Sequence, residues 1–256
     1  MSELGKQTRL RRIFSHPSGR ILSVAVDHFI GYPGGLPEGL VDMATTLAGI
    51  VEGRPNAITM TKGVAKRFMS RHAGTVPMII QQIAGRPDDV FFASQTTVEE
   101  VVALGADALA CAITVNCKTE SMQVRHLAKV TTEAERYGLP IIAHIYPLSA
   151  DSDDNAVSNV PADVAFAVRV GLELGVDVIK VPYCGDPATL RDIVSVTPVP
   201  VVMAGGVKCE TLEDAVAMVR EAVGAGAAGA TVGRNVWGFD DLPGALAALK
   251  QAAYEG

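Results

Sequence analysis

Short apolar runs alternate with longer amphipathic stretches along the whole 256-residue chain. The runs are 20–26 (RILSVAV), 57–61 (AITMT), 76–82 (VPMIIQQ), 107–115 (DALACAITV), 140–146 (PIIAHIY), 176–181 (VDVIKV), 199–204 (VPVVMA) and 228–232 (AGATV). Their length and their Val/Ile content read as strands buried on both faces. Between them, segments such as 98–104, 122–137, 161–174, 212–223 and 242–253 carry apolar residues at helical spacing. Gly105, Gly138, Gly175 and Gly226 stand where a left-handed residue ends a helix. Eight strand–helix repeats predict an α/β protein, a single (β/α)8 TIM barrel over residues 1–256. An open doubly wound sheet has the same periodicity, because alternation along the chain does not show closure. The connection 148–159 lacks a pattern and reads as a mobile loop over an active site.

Composition narrows the function classes. The residues are 48% hydrophobic and 5% aromatic, and the net charge is −6 without a long basic run, which argues against nucleic acid or an anionic membrane as partner. Cys111, Cys117, Cys184 and Cys209 have neither zinc-like spacing nor the density of a disulfide framework. The five histidines are scattered, so no metal site and no cofactor is expected. The start lacks an apolar leader and no segment approaches 18 apolar residues, so the reading is a cytoplasmic protein.

In a barrel the chemistry gathers at the C-terminal ends of the strands. There the runs end on Asp27-His28, Lys62, Gln81-Gln82, Asn116, Tyr146, Lys180, Gly205-Gly206 and Gly233-Arg234. Lys180 interrupts VDVIKVPY, where the period of two puts Val176, Val178 and Lys180 on one face. An ammonium facing into a poorly solvated barrel mouth has a lowered pKa, and the neutral amine is the form that attacks a carbonyl. The bland alternative is a lysine reaching out to solvent. Tyr146 and His144 share a face, with His144 one layer deeper; a phenol near an iminium can move a proton, while His144 fits a core position equally. Asp27 and His28 are adjacent, so at most one points inward. Asp27 is preferred, because a carboxylate can act as base and offset a lysine. The glycines of VVMAGGVK and ATVGRN leave backbone N–H groups open to a phosphate, with Arg234 as a charged donor. Lys62 is the competing amine, and with His144 it completes the set of candidate substrate contacts.

The segments TRLRRIFSHPSGRILSVAVDH, NAITMTKGVAKR, GADALACAITVNCKTE, GLPIIAHIYP, GVDVIKVPYCGDPATLRDIV, VPVVMAGGVK and GAAGATVGRNVWGFDD resemble, in order, the archaeal-type class I fructose-bisphosphate aldolases. That group includes 2-amino-3,7-dideoxy-heptulosonate synthase and the autoinducer-2 phosphate thiolase. The resemblance implies Lys180 as the Schiff-base lysine, Tyr146 as general acid/base and Asp27 as an aid to proton transfer. It implies that Gly205, Gly206, Gly233 and Arg234 hold the substrate phosphate, and that the protein forms homo-oligomers. Three departures stand out. Leu148 occupies a position that is basic in many relatives, His144 one that is aromatic or Met, and DHFIGYPGG replaces a shorter Gly-rich segment.

Together these readings predict a metal-independent lyase. It would cleave or form a C–C bond in a phosphorylated ketose, with dihydroxyacetone phosphate and an aldehyde as the small-molecule partners. The rivals are a thiolase- or transaldolase-like transfer on the same lysine, and a barrel that binds sugar phosphates without turnover.

Overall fold

The computed structural model describes residues 2–31, 35–93, 95–149 and 156–256. Eight parallel strands close into a barrel in sequential order, which settles the choice between barrel and open sheet. The strands are β1 (Ile21–Ala25), β2 (Ala57–Met60), β3 (Met78–Ile83), β4 (Ala108–Val115), β5 (Ile141–Pro147), β6 (Val178–Pro182), β7 (Val201–Ala204) and β8 (Gly229–Val232). Closure is made by β8 lying beside β1, with Val232 opposite Val24.

Helix α1 (Ser2–Ile13) precedes the barrel, and the short α2 (His28–Gly31) follows β1. Helices α3 (Met43–Glu52), α4 (Lys62–Phe68), α5 (Val98–Ala103), α6 (Glu120–Tyr137), α7 (Pro161–Glu173), α8 (Pro187–Ser195) and α9 (Leu212–Gly224) follow in turn. The four-residue α10 (Arg234–Trp237) and α11 (Leu242–Glu255) end the chain. Gly105, Gly138, Gly175 and Gly226 all adopt positive φ, as helix-ending glycines do.

Alternation along the strands sorts the core into two parts. Outward residues such as Ile58, Ile80, Cys111, Ile145 and Ile179 pack under the helices. Inward residues fill the barrel from its N-terminal end, where Ile21, Ile79, Ala110, Ile142, Val178 and Val202 form a separate cluster with Ile13. Leu10 and Phe14 lie against that cluster, so α1 acts as a plug for the bottom of the barrel. Lys6 of α1 pairs with Asp177 at 2.9 Å, and the same carboxylate accepts the Ile141 N–H at 2.8 Å. Above this layer the interior turns polar, with Ser23, Thr59, Gln81, His144, Lys180 and Thr231 all buried.

One detail of the sequence reading changes. Val176 does not share the inward face with Val178 and Lys180. It precedes the strand, next to the left-handed Gly175, and packs in the outer core. Of the patternless connection, residues 150–155 lie outside the described residues, while Leu148 pairs with Val157 across an antiparallel bridge.

Among the described residues, no helix is long and apolar enough to cross a membrane.

The plug and the mouth lie at opposite ends of the barrel, so stability and activity should separate. Ile13→Ala is expected to cost about 2–5 kcal/mol, a fall in Tm of roughly 5–15 °C. Thermal unfolding together with steady-state assays checks this, and kcat/KM should stay at the wild-type value.

Candidate active site

At the C-terminal ends of the strands a cavity of about 630 Å3 opens around Lys180. That size is ordinary for a small-molecule site. The lysine stands on the inward face of β6, in register with His144 on β5 and Val202 on β7. It is 5% exposed. Burial lowers its pKa to about 8; Asp27 pulls it back up and Arg234 pushes it further down. Asp27 lines the same cavity, and burial raises its carboxyl pKa against the opposing pull of Lys180. An amine and a carboxylate that each lose hydration therefore share one pocket, and both ionisations move toward the neutral forms.

Tyr146 ends β5 and forms part of the cavity wall. Around it Ile83, Ala112 and Ala204 are packed, with Phe92 and Val157 against them, so this side of the mouth is apolar.

The β7 and β8 ends also line the cavity, with Gly205, Gly206, Gly233 and Arg234. Arg234 donates from Nη2 to the Gly206 carbonyl at 2.8 Å, tying the two loops together. Gly206 has φ +65, a conformation that favours glycine. Gly205 plays a different part from the one its sequence suggests. Its N–H donates to the Thr231 carbonyl at 2.9 Å within the β7–β8 pairing, so that amide is not available to a ligand. Its lack of a side chain serves packing instead, because a Cβ there would stand 2.9 Å from Val232 Cγ1.

Two further candidates fall elsewhere. Lys62 does not line the cavity. It begins α4 and its ammonium binds both carboxylate oxygens of Glu100, at 2.9 and 2.8 Å. A strand-end lysine with a carboxylate on the next helix has no need of the barrel mouth. His144 also lies outside the cavity wall. It is 2% exposed and its pKa falls well below the usual value, through burial and then Lys180, so it is a neutral core histidine.

Other residues join the site that the sequence reading left out. His28 lines the cavity together with the expected Asp27, because β1 stops at Ala25 and α2 begins at His28, so strand alternation no longer separates them. Asn235, 1% exposed, donates to the carbonyls of Gly205 (2.8 Å) and Val207 (3.1 Å) and accepts the Cys209 N–H (2.8 Å). It staples the β7 loop to α10. Tyr183, Cys184, Cys209 and Met218 also line the cavity. Among the described residues, no group of three His, Cys, Asp or Glu side chains is placed to hold a metal ion.

A buried amine of lowered pKa shares this pocket with a phenol, a carboxyl group, an arginine and strand-end glycines, a set with which imine chemistry is possible. Comparison with known proteins decides the family. Residues 21–238 match the family model described as DeoC/LacD family aldolase. The chain belongs to that family. It is 33% identical over 257 residues to 2-amino-3,7-dideoxy-D-threo-hept-6-ulosonate synthase of Halobacterium salinarum, covering 98% of this chain and 92% of that one. It is 34% identical over 208 residues to the class 1 fructose-bisphosphate aldolase of Thermoproteus tenax, covering 78% of this chain and 76% of that one. Among solved structures it resembles an archaeal fructose-1,6-bisphosphate aldolase whose catalytic Lys is covalently bound to the carbinolamine intermediate of its substrate. The TM-score there is 0.85 at 30% identity, over 97% of this chain and 99% of that one.

The lowered pKa of Lys180 sets the sign of a pH effect. Only the neutral amine is nucleophilic, so imine formation should rise with pH and level off above about 8, as its pKa requires. An unburied lysine would level off near 10.4. Initial rates of borohydride trapping across this range measure the midpoint, and one above about 10 would contradict the assigned burial.

Proposed function

We propose that this member of the aldolase family is a class I enzyme that cleaves or forms a C–C bond in a phosphorylated ketose through an imine on Lys180. The observation that carries the reading is the placement of that lysine: buried in the barrel mouth, in one cavity with Asp27 and Arg234, both of which act on its charge. The neutral amine adds to the ketone carbonyl, and loss of water gives an iminium. Tyr146 or Asp27 takes the proton from the hydroxyl on the far carbon of the bond to be broken, the carbon that becomes the aldehyde. As that bond breaks, an aldehyde leaves and its electron pair passes into the iminium, giving an enamine. Protonation of the enamine and hydrolysis release a three-carbon ketone such as dihydroxyacetone phosphate and restore the amine. No step calls for a metal or an organic cofactor.

The phosphate belongs at the β7–β8 wall, on Arg234 and the backbone around Gly206 and Gly233. Leu148 bears on the number of phosphates. It is 1% exposed, bridged to the cavity-lining Val157, and does not itself line the cavity, so this position offers a second phosphate no cationic partner. Among the described residues lining the cavity, the Lys and Arg side chains are Lys180 and Arg234, and His28 is held neutral. The nearby Arg86 is paired with Asp88. This supports a substrate with one phosphate.

The name of the Halobacterium salinarum relative describes a synthase. It favours a second reading in which the same lysine works in the bond-forming direction or transfers its three-carbon unit to another acceptor. Requirement for an added acceptor separates the two.

Borohydride reduction in the presence of dihydroxyacetone phosphate should inactivate the enzyme and add the reduced substrate's mass to the peptide containing Lys180. Lys180→Met should fold and lose turnover and trapping. Tyr146→Phe should still trap, while C–C cleavage slows by roughly 10²–10⁴, the usual worth of a placed acid or base. A mass found on Lys62, or full activity in Lys180→Met, overturns the mechanism.

The phosphate assignment has its own test. A ketose monophosphate should give a higher kcat/KM than fructose 1,6-bisphosphate. Arg234→Ala should raise KM for the monophosphate by about 1.5–3 kcal/mol, the range for a hydrogen bond to a charged group. A tenfold preference for the bisphosphate, about 1.4 kcal/mol, contradicts the reading.

A further inference from the structure

The aldehyde half of the reaction has a partner for its oxygen and none yet for its substituent. The chemistry says where that substituent lies. In a dihydroxyacetone phosphate unit the phosphate-bearing carbon and the bond-forming carbon stand on either side of the imine carbon. With the phosphate on Arg234 and the strand-end glycines, the new bond points away from them. The aldehyde oxygen must reach the Tyr146 phenol, so the rest of the aldehyde is housed by what surrounds Tyr146.

Those surroundings are apolar and firmly held. Tyr146 packs with Ile83, Ala112 and Ala204, and Phe92 and Val157 lie against this cluster. Val157 also lines the cavity, on a segment tied to the end of β5 on both sides. The Ser149 N–H donates to the Ala156 carbonyl at 2.9 Å, and the Ser158 N–H donates to the Pro147 carbonyl at 2.7 Å. The Ser158 hydroxyl donates to Asp163 of α7 at 2.6 Å and fixes the same segment from outside. Pro87, a second lining residue, stands in a loop closed by the Gly85–Phe91 bridge and by the Phe92 N–H on the Ala84 carbonyl at 3.0 Å.

Charge is kept away from this part of the cavity. The Arg86 guanidinium is bound to Asp88 and lies over the Phe92 ring, 5.2 Å from its centroid, and neither charged side chain lines the cavity. Among the described residues of the loops after β3 and β5, those that line it are Pro87, Val157 and Asn159, so a single amide supplies all their side-chain polarity. A sugar aldehyde would bury hydroxyls here with too few partners, which weakens binding for each one left unpaired. Methylene groups would gain by leaving water.

We infer that the aldehyde this enzyme handles carries an alkyl substituent, seated against Val157 and Pro87 beside Tyr146, in place of the hydroxyls or phosphate of a sugar aldehyde. The inference rests on the imine and phosphate readings given under Proposed function. In the bond-forming direction the enamine carbon attacks the aldehyde carbon, Tyr146 gives the aldehyde oxygen its proton, and the iminium left on Lys180 is hydrolysed.

The test gives wild-type enzyme, saturated with dihydroxyacetone phosphate, propanal, butanal, pentanal, glyceraldehyde and glyceraldehyde 3-phosphate in turn. The kcat/KM for each aldehyde is measured from the C–C product. It should rise roughly two- to fourfold per CH2 from propanal to pentanal, as burial of a methylene requires, and both glyceraldehydes should fall below pentanal. Val157→Asn should lower the ratio of pentanal to glyceraldehyde roughly tenfold. That ratio is insensitive to a shared loss of folded enzyme, and the wild-type series decides alone if the variant fails to fold. A flat alkyl series, a glyceraldehyde that matches pentanal, or an unchanged ratio in Val157→Asn overturns the inference. Borohydride trapping of dihydroxyacetone phosphate is run without aldehyde: trapping with no product from any alkyl aldehyde also overturns the inference, whereas a wild-type protein that does not trap refutes the imine reading itself.

Discussion

The burial of one ammonium group in the mouth of the barrel is the constraint around which the rest is arranged. A lysine is seldom buried without a partner or a task, because losing its hydration disfavours the charged form. Here the partial partner is Asp27, itself desolvated, so neither group regains in Coulomb attraction all that it loses in solvation. The fold tolerates this because the mouth is supported from below by an apolar layer sealed with Ile13 and from the side by helix-covered strands. The closed barrel makes the site possible in a second way. Its strand ends bring residues separated by more than 200 positions, such as Asp27 and Arg234, into one cavity.

Most of the fold was legible in the sequence because its signals are local. Strand runs and helix stops depend on residues within a few positions of one another, and all eight strands lie close to where the apolar runs place them. Lys180 was legible for a related reason: a charge in the middle of a buried strand contradicts its surroundings. The misreadings have non-local causes. Lys62 sits at a strand end like Lys180, and only the packing of α4 against α5 shows that Glu100 claims it. Alternation separated Asp27 from His28 on the assumption that β1 continued through both, whereas the strand stops at Ala25. Gly205 looked like a donor of its amide, and the ladder from β7 to β8 uses that amide first. Asn235 carries no signal by type, since an Asn after a Gly-Arg pair is an ordinary turn residue. Its importance lies in three backbone partners that only the folded chain supplies.

The cavity wall is uneven in polarity. The β7 and β8 ends bring a guanidinium and strand-end glycines, while Tyr146 is backed by Ile83 and Ala112, with Phe92 and Val157 packed against them. A ligand with one charged end and one weakly polar end fits this asymmetry better than a ligand charged at both.

Arg234 also links binding to chemistry. Its positive charge pushes the pKa of Lys180 down, which favours the neutral nucleophile. On the proposed reading, a phosphate at those strand ends would bring opposite charge to the same place and offset that push. The later species on that nitrogen, the iminium, is a cation, so a nearby anion would favour it. A substrate without the phosphate would meet the first effect and lack the second, so the site would discriminate against it in the chemical step as well as in binding.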